Sequence, residues 1–576
     1  MSSKRKMGGF EQQHQHTNLI ISNTVNKFLS CQKITLNLLP MQKNCCLSFK
    51  NLLLLLGFIL FFTNGSLAQA VYLPYSYQSN QKFDAELYTT KSSTHTSLKP
   101  YLIDSTLLAR YNAEMQLGVD SSHKSWLTRK LFNEHLFDVK TKEYTFYGDY
   151  LPDLQIGRDI SGKKNTSLNT RAYQFGGTVG TKFFFYTSGF ENQGTFPAYY
   201  DAVVNSHHFV PGQAYDRSFG KNSKDWSFAT AILSYTPIKQ LNITLGEDKT
   251  FIGDGYRSLL LSDYAAAYPL LRLTTNLGKV QYMAMWAYMG SLDAKKFDTF
   301  GSNRRKWGMF HYLDWNVTNR LSLGFFNALI AAETDDYGHL HGFDINYVNP
   351  VLLVGSLGPS TPIPDNTFWG FTGKYKIFDK AAFYGQFLLD QYNSNSSNAS
   401  TYGYQLGVRG ADLFKVTDLN YIVEYNTVKP YTYTGSQLIT SYTQYDEPLG
   451  DPLGANFKEL IGILNYSIGK FDFQGQVNYA RYQINSLGQN IGMNITPPYI
   501  PPAYNRYATS TNTGPAINAN LKYAEGTVSY LVNPKYNLRL ELGALYRDES
   551  SSLGNQKTML LTFGLRSTFR NLYHDF

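Results

Sequence analysis

Stretches of about ten residues in which apolar and polar side chains alternate recur through the last third of the chain, and no other feature limits its fold so tightly. Over 536–547, Leu538, Leu540, Leu542, Ala544 and Tyr546 share one face of an extended strand. Asn537, Arg539, Glu541, Gly543 and Arg547 mainly take the other, and Leu545 breaks the pattern. The stretch 471–478 sets Phe471, Phe473 and Val477 against Asp472, Gln474, Gln476 and Asn478, and 419–426 sets Leu419, Tyr421, Val423 and Tyr425 against Asn420, Glu424 and Asn426. A period of two belongs to strands rather than helices. Strands of about ten residues, tilted by about 45°, cross the hydrocarbon of a bilayer. Backbone in lipid must satisfy its own hydrogen bonds, so such strands have to close on themselves. A soluble β-sandwich also alternates and is the competing reading.

Composition favours the membrane. The chain is 15% aromatic and only 16% charged, with 45 Tyr and 38 Phe, whereas soluble domains carry about 25% charged residues. Tyr suits the two interfacial belts of a barrel, with the ring in lipid and the hydroxyl in water. Mean hydropathy is nevertheless negative, at -0.31. A bundle of membrane helices would be far more apolar, but half of a barrel's strand positions face water.

The net charge of +9 comes mostly from residues 1–68, where Lys4, Arg5, Lys6, Lys27, Lys33, Lys43 and Lys50 face Glu11 alone. No basic patch survives outside this stretch, which argues against a nucleic-acid partner. The apolar run 52–62, preceded by Lys43 and Lys50 and followed by Ser66, Leu67 and Ala68, has the order of a cleaved secretory signal peptide. It is short for a membrane-spanning helix, and an uncleaved anchor is the alternative. Met41 stands just ahead of it. The expected divisions are therefore an extension at 1–40 left by a mis-assigned start, a signal peptide at 41–68, a flexible periplasmic arm at 69–96, a periplasmic helical segment at 97–140 and the barrel at 141–576. Cys31, Cys45 and Cys46 all precede the cleavage point, so the mature chain is expected to have no disulfide, no Cys-bound metal and no lipidated Cys.

Within 97–140, Leu127/Leu131 and Phe132/Leu136 recur at helical spacing, and Ser125 is placed to cap the second helix. A small helical unit and a plug both fit this pattern. From about residue 143 the pattern yields roughly eighteen strands, beginning near 143, 170, 182, 226, 241, 269, 279, 307, 320, 367, 381, 401, 417, 457, 470, 522, 536 and 557. Short spacers rich in Pro, Gly, Asn and Asp alternate with long ones at about 193–225, 250–268, 291–306, 332–366, 429–456 and 484–521. Short periplasmic turns and long outer loops are the outer-membrane arrangement. The expected fold class is an all-β membrane protein: a closed antiparallel transmembrane β-barrel of about eighteen strands with a small N-terminal periplasmic helical region.

The densest polar cluster runs from Gly246 through Glu247, Asp248, Lys249, Gly253, Asp254, Gly255, Tyr256 and Arg257 to Asp263. One reading makes Glu247, Asp248, Asp254, Tyr256, Arg257 and Asp263 a lumen-facing site for sugar hydroxyls or a cation. The other makes the segment a loop folded into the barrel and pinned by Asp/Arg pairs. Adjacent Glu247 and Asp248 diverge on a strand, so they form an acid/base pair only if Asp254 or Asp263 returns to meet one of them. Gly253-Asp254-Gly255 lacks the flanks of a phosphate loop. The histidines, among them His207, His208, His339 and His341 in loops and His311 in a strand, make no metal pattern, and no triad or nucleophile elbow stands out. No enzymatic activity and no cofactor are expected.

The segments 125–136, 251–262, 347–351, 564–566 and 569–576 resemble RemB-type gliding-motility proteins, which are in turn similar to the Wzi capsule-assembly barrels. The likeness covers about 100–576, and its most specific part is Phe251-Ile252-Gly253-Asp254-Gly255-Tyr256-Arg257. It implies an eighteen-stranded barrel with periplasmic helices in the outer membrane of a Gram-negative bacterium, serving surface polysaccharide or gliding. Implied partners are outer-membrane lipid and lipopolysaccharide, the barrel-assembly machinery (with Phe576 as its signal), surface polysaccharide and gliding proteins. The chain departs from the family at 351–358, which holds no Arg. A solute-diffusing pore and, behind it, an outer-membrane hydrolase are the rival functions.

Overall fold

The computed structural model describes residues 71–72, 75–104, 106–122, 124–217, 223–298, 300–352, 365–390, 401–484, 491–496, 516–567 and 570–576. The extension 1–40, the apolar run and the expected cleavage point lie outside the described residues. Among the described residues no helix is long and apolar enough to cross a membrane.

Eighteen antiparallel strands close into one barrel. They are β1 Tyr144–Asp159, β2 Lys164–Val179, β3 Phe183–Thr195, β4 Lys224–Ile238, β5 Leu241–Asp248, β6 Tyr268–Leu277, β7 Val280–Ser291, β8 Arg304–Asn316 and β9 Leu321–Ala332. There follow β10 Asp365–Phe378, β11 Ala381–Asp390, β12 Tyr402–Gly410, β13 Leu419–Val428, β14 Phe457–Ile468, β15 Phe471–Ile484, β16 Ile517–Asn533, β17 Leu538–Ser551 and β18 Gly554–Ser567. Each strand pairs with its sequence neighbours, and β18 closes the ring on the second half of β1, with Leu560 opposite Asp159 and Leu565 opposite Leu154. The first half of β1 is covered instead by the short strand Phe137–Lys140. Closure removes the sheet edge that a sandwich would leave, as lipid requires.

The alternation seen in the sequence is the division between wall faces. Leu540 and Leu542 of β17 are exposed, as are Phe471, Phe473 and Val477 of β15, whereas Arg539, Glu541, Gln476, Asn478, Asn420 and Glu424 are buried inside. Leu545, the misfit, points inward and packs on Tyr523 and Leu560. The connections 180–182, 239–240, 278–279, 317–320, 379–380, 411–418, 469–470 and 534–537 gather at one end, and the long ones lie at the other together with the short 160–163 and 552–553. By the barrel convention the first end is periplasmic. The observed starts of β2 and β16 precede the expected 170 and 522: 164–167 is wholly polar, and in 517–521 the alternation is present but inverted, with apolar Ala519 and Leu521 in the interior cluster.

The lumen is filled. The stretch expected to be a flexible arm packs there instead, with Tyr77, Phe83, Asp84, Leu87 and Tyr88 buried in and around the helices Tyr77–Asn80 and Asp84–Leu87, and so does the strand Leu98–Lys99 at the start of the expected helical segment, burying Lys99. Buried aromatic and apolar side chains drive this insertion, since leaving them in water would forgo roughly 1.5–3 kcal/mol for each large one. The two longer helices of 97–140, α1 Leu108–Gln116 and α2 Trp126–Phe132, have no buried residue, and Ser125 caps α2 by accepting from the Thr128 amide at 3.2 Å. The loops 249–267 and 429–456 turn into the barrel and join strand residues in its largest apolar cluster, which includes Leu259, Leu260, Leu261, Tyr433, Tyr442 and Leu449.

Candidate functional site: the luminal plug

The 249–267 loop is the centre of the lumen. Phe251 and Ile252 pair with Lys99 and Leu98 as a two-residue ladder, and the Gly253 amide donates to the Ser97 carbonyl at 2.7 Å. Gly253 has φ +140, and a Cβ there would sit 2.0 Å from Gln386 Nε2, so both backbone and space require glycine. Ser258 Oγ donates to the Ile252 carbonyl at 2.5 Å and the Leu259 amide to Gln386 Oε1 at 2.8 Å, which folds the loop on itself against β11.

Asp254 lies where this loop meets the N-terminal segment. Its Oδ1 accepts from Tyr88 at 2.7 Å and from the Thr96 hydroxyl, its Oδ2 accepts from Ser97 at 2.7 Å, and Lys374 of β10 stands 3.8 Å away. Burial acts to raise its carboxyl, but Lys374, Lys99 and the two hydroxyls outweigh it and hold the group below the usual carboxylate range. Lys99, donating to the Gly253 carbonyl, is pushed down to about 7 by burial. Beside them Arg409 donates to both oxygens of Asp84 at 2.7 Å and to the Asp254 carbonyl at 2.5 Å.

Arg257 joins the same loop to the opposite wall and to the C-terminal tail. Its Nη2 lies 3.3 Å from Glu459 Oε1 and 3.0 Å from Asp575 Oδ2, with both partners buried. Burial opposes its charge, yet Asp575 and Glu459 leave it more firmly protonated than a free guanidinium. Glu424 of β13 accepts from the backbone amides of Tyr256 at 2.9 Å and Arg257 at 3.1 Å, while the Tyr256 hydroxyl donates to Asp575 at 3.2 Å. Asp263 accepts from Tyr573 at 2.6 Å and Asn571 at 2.8 Å, and burial raises its carboxyl. Asp248 pairs with Arg570 and accepts from Tyr72. Nearer the outer end, Lys249 donates to the carbonyls of Gly212 at 2.8 Å and Asp263 at 2.9 Å, while Glu447 accepts from the amides of Gly212 at 2.6 Å and Ala266 at 3.0 Å.

The structure thus brings Asp254, Tyr256, Arg257 and Asp263 into one buried network, joins Asp248 to it through the tail, and leaves Glu247 out. Glu247 is exposed on the outer face of β5, the side opposite Asp248, because neighbours on a strand point apart. No acid/base pair forms: Asp254 and Asp263 meet partners from the N-terminal segment and the tail rather than Glu247 or Asp248. Asp248, Asp254, Asp263 and the Arg257 guanidinium are engaged by protein groups, an arrangement that pins a loop. Phe576, expected as an assembly signal, lies beyond the end of β18, with its ring against Tyr200 and Tyr264 at 5.6 and 6.0 Å inside the barrel. Among the described residues no group of three or more His, Cys, Asp or Glu side chains is placed to hold a metal ion.

The sequence reading missed Asp84, Thr96, Ser97, Lys374, Arg409, Glu459 and Asp575. A signal existed for the strand members: a charged residue on the inward face of a barrel strand needs a luminal partner, and Glu424 had already been placed on that face. Nothing in the polar, aperiodic stretch 75–97 marks it as the other half of the site.

A closed antiparallel eighteen-stranded wall with short turns at one end and its lumen filled by its own chain has the outer-membrane β-barrel fold. No protein-family model matches the sequence, and no curated protein matches it. Among solved structures, the chain is similar to Wzi of Escherichia coli, an outer membrane protein involved in group 1 capsule assembly and described as a carbohydrate-binding β-barrel. Identity is 14% and the TM-score 0.50, over 87% of this chain and 99% of Wzi. OprD and OpdQ of Pseudomonas aeruginosa align with TM-scores of 0.38 and 10% identity, over 73% and 74% of this chain and 94% and 98% of theirs. At such identities the Wzi likeness shows a shared fold.

Proposed function

We propose that this protein is a non-enzymatic outer-membrane β-barrel, exported by a cleaved signal peptide, that supports surface polysaccharide assembly or attachment, gliding motility, or both. The observation that carries the reading is the filled lumen: a barrel whose interior is cross-linked by Asp254, Arg257 and Asp263 serves as a rigid platform for its outer end. The likeness to a carbohydrate-binding barrel adds the class of ligand.

The long outer loops 429–456 and 484–521, rich in Tyr and Asn, are the first place to look for a glycan-binding surface, but they do not supply it. Tyr433, Ile439, Tyr442 and Leu449 of the first loop are buried in the lumen, and most of the second lies outside the described residues. The outer rim offers instead Phe300, 93% exposed, and Tyr337, 79% exposed, next to Lys295 and Lys296. Aromatic faces pack on sugar rings, and the lysines draw in acidic glycans. Phe300→Ala with Tyr337→Ala is expected to weaken retention of purified surface polysaccharide at least severalfold in a pull-down while leaving the barrel folded. Unchanged retention would refute the assignment. A clean deletion scored for surface polysaccharide and for colony spreading separates the capsule role from the gliding role. Lipid, lipopolysaccharide and the barrel-assembly machinery are the partners any such barrel meets. A diffusion pore is disfavoured by the filled lumen, and a hydrolase by the engagement of Asp254 with protein donors.

A further inference from the structure

The outer wall has one stretch that is covered rather than bare. On β7, Met283, Met285, Ala287 and Met289 belong to the interior cluster, so Tyr282, Trp286 and Tyr288 point outward. By the same alternation Trp307, Met309 and His311 of β8 and Leu329 and Ala331 of β9 point outward, because Phe310, Tyr312, Phe326, Ala328 and Ile330 lie inside. Neighbouring outward positions are bare: Leu245 faces Leu271 and Leu271 faces Trp286 in register, and both leucines are exposed. Met309, Leu329 and Ala331 are instead buried with Tyr347 in a cluster of their own.

The cover is the connection between β9 and β10, which the sequence assigned to the aqueous side as a long outer loop. The Tyr288 hydroxyl donates to Glu333 Oε2 at 3.0 Å, Phe343 meets Trp307 edge-on at 4.8 Å, Trp286 Nε1 donates to the Tyr347 carbonyl at 2.5 Å, and the Tyr282 hydroxyl donates to the Pro350 carbonyl at 2.6 Å. Tyr288, Trp286 and Tyr282 step down β7 from its outer end, so the loop descends the outside of the wall. Position along the strand sets the depth, because in a wall of tilted strands a register ladder climbs from one strand to the next. Trp286 lies midway along Val280–Ser291 and faces exposed Leu271 in the apolar belt, while Tyr282 lies two residues from Val280 at the short-turn end. Backbone at that depth needs internal partners, and it has them. Besides the two wall donors, Asp344 Oδ1 accepts from the Asn346 amide at 2.9 Å and Asn349 Oδ1 from the Val351 amide at 3.0 Å. On the side away from the wall stand Ile345, 75% exposed, Val348 and Val351.

We propose that residues 343–351 form a lipid-embedded flap, held to the wall by Trp286 and Tyr282, whose Ile345, Val348 and Val351 meet the acyl chains of the bilayer. Apolar side chains at belt depth, on the face turned from the protein, fit hydrocarbon and not a glycan. The inference rests on the membrane reading of the barrel, and one experiment separates the two. In the full chain with Cys31, Cys45 and Cys46 changed to Ser, single Ile345→Cys, Val348→Cys, Tyr337→Cys and Val477→Cys variants are reconstituted in phosphatidylcholine vesicles. They are then treated with a water-soluble maleimide or, labelled with bimane, compared in brominated and unbrominated phosphatidylcholine. Tyr337→Cys is expected to react at least tenfold faster than Ile345→Cys or Val348→Cys, and bimane at 345, 348 and 477 to be quenched by bromine. Reaction of Ile345→Cys and Val348→Cys within twofold of Tyr337→Cys, or absence of quenching at 345 and 348 while 477 is quenched, overturns the flap alone. Absence of quenching at 477 as well overturns the membrane reading.

Discussion

Leu545 and Leu542 lie three residues apart on β17 yet occupy opposite environments, one against Tyr523 and Leu560, the other exposed on the outer face. Leu545→Ala should cost about 2–5 kcal/mol through the cavity it leaves, and Leu542→Ala much less, read from denaturant unfolding in detergent. Arg257→Met leaves Glu459 and Asp575 buried without their cation, a loss of about 3–5 kcal/mol. It should appear as accelerated amide exchange over 251–263 while the strands stay protected. Glu447 gives the plug a pH dependence. Burial pushes its carboxyl from the ordinary glutamate value up to about 8. The folded value lies above the unfolded one, so its stabilising contribution is complete below the ordinary carboxylate range and is lost as pH rises through about 8. The protection of the Gly212 and Ala266 amides, its donors, taken relative to the base-catalysed exchange of a free amide at each pH, should therefore fall between neutral and pH 9, and Glu447→Gln should flatten that fall. Asp254, held low, acts in the opposite direction, contributing above the carboxylate range and losing its effect only in strong acid.

At the scale of elements, the strands were legible, the inward loop at 249–267 was legible as one of two readings, and the N-terminal half of the plug was not. A strand between lipid and a polar interior writes its environment into every second residue, which is why starts expected at 241, 381 and 457 coincide with β5, β11 and β14. The inserted segments have no such period: 75–104 touches the wall through individual hydroxyls, carboxylates and rings, and its partners sit hundreds of residues away. The glycine-rich turn at 253–255 was legible as a sharp bend, but not the neighbour that enforces it. Gly253→Ala should release the 251–263 loop to limited proteolysis. Gln386→Ala in the same chain would relieve the contact but not the φ of +140, giving partial recovery at most.

For the molecule as a whole, the filled interior predicts electrical silence. The purified barrel in planar bilayers should show no sustained conductance, whereas Arg257→Met combined with Asp84→Ala, which frees the loop and the N-terminal segment together, should give transient openings. Steady ohmic current from the unaltered protein would favour the rival diffusion pore. The knot of contacts at Arg257 also sets an order of events. Its partners Glu459 and Asp575 lie 202 and 318 residues along the chain, and joining points so distant carries an entropic cost that is met only once the intervening strands are in place. The plug is therefore expected to lock after the wall has paired, so that in pulsed amide exchange during refolding the strands gain protection before residues 251–263.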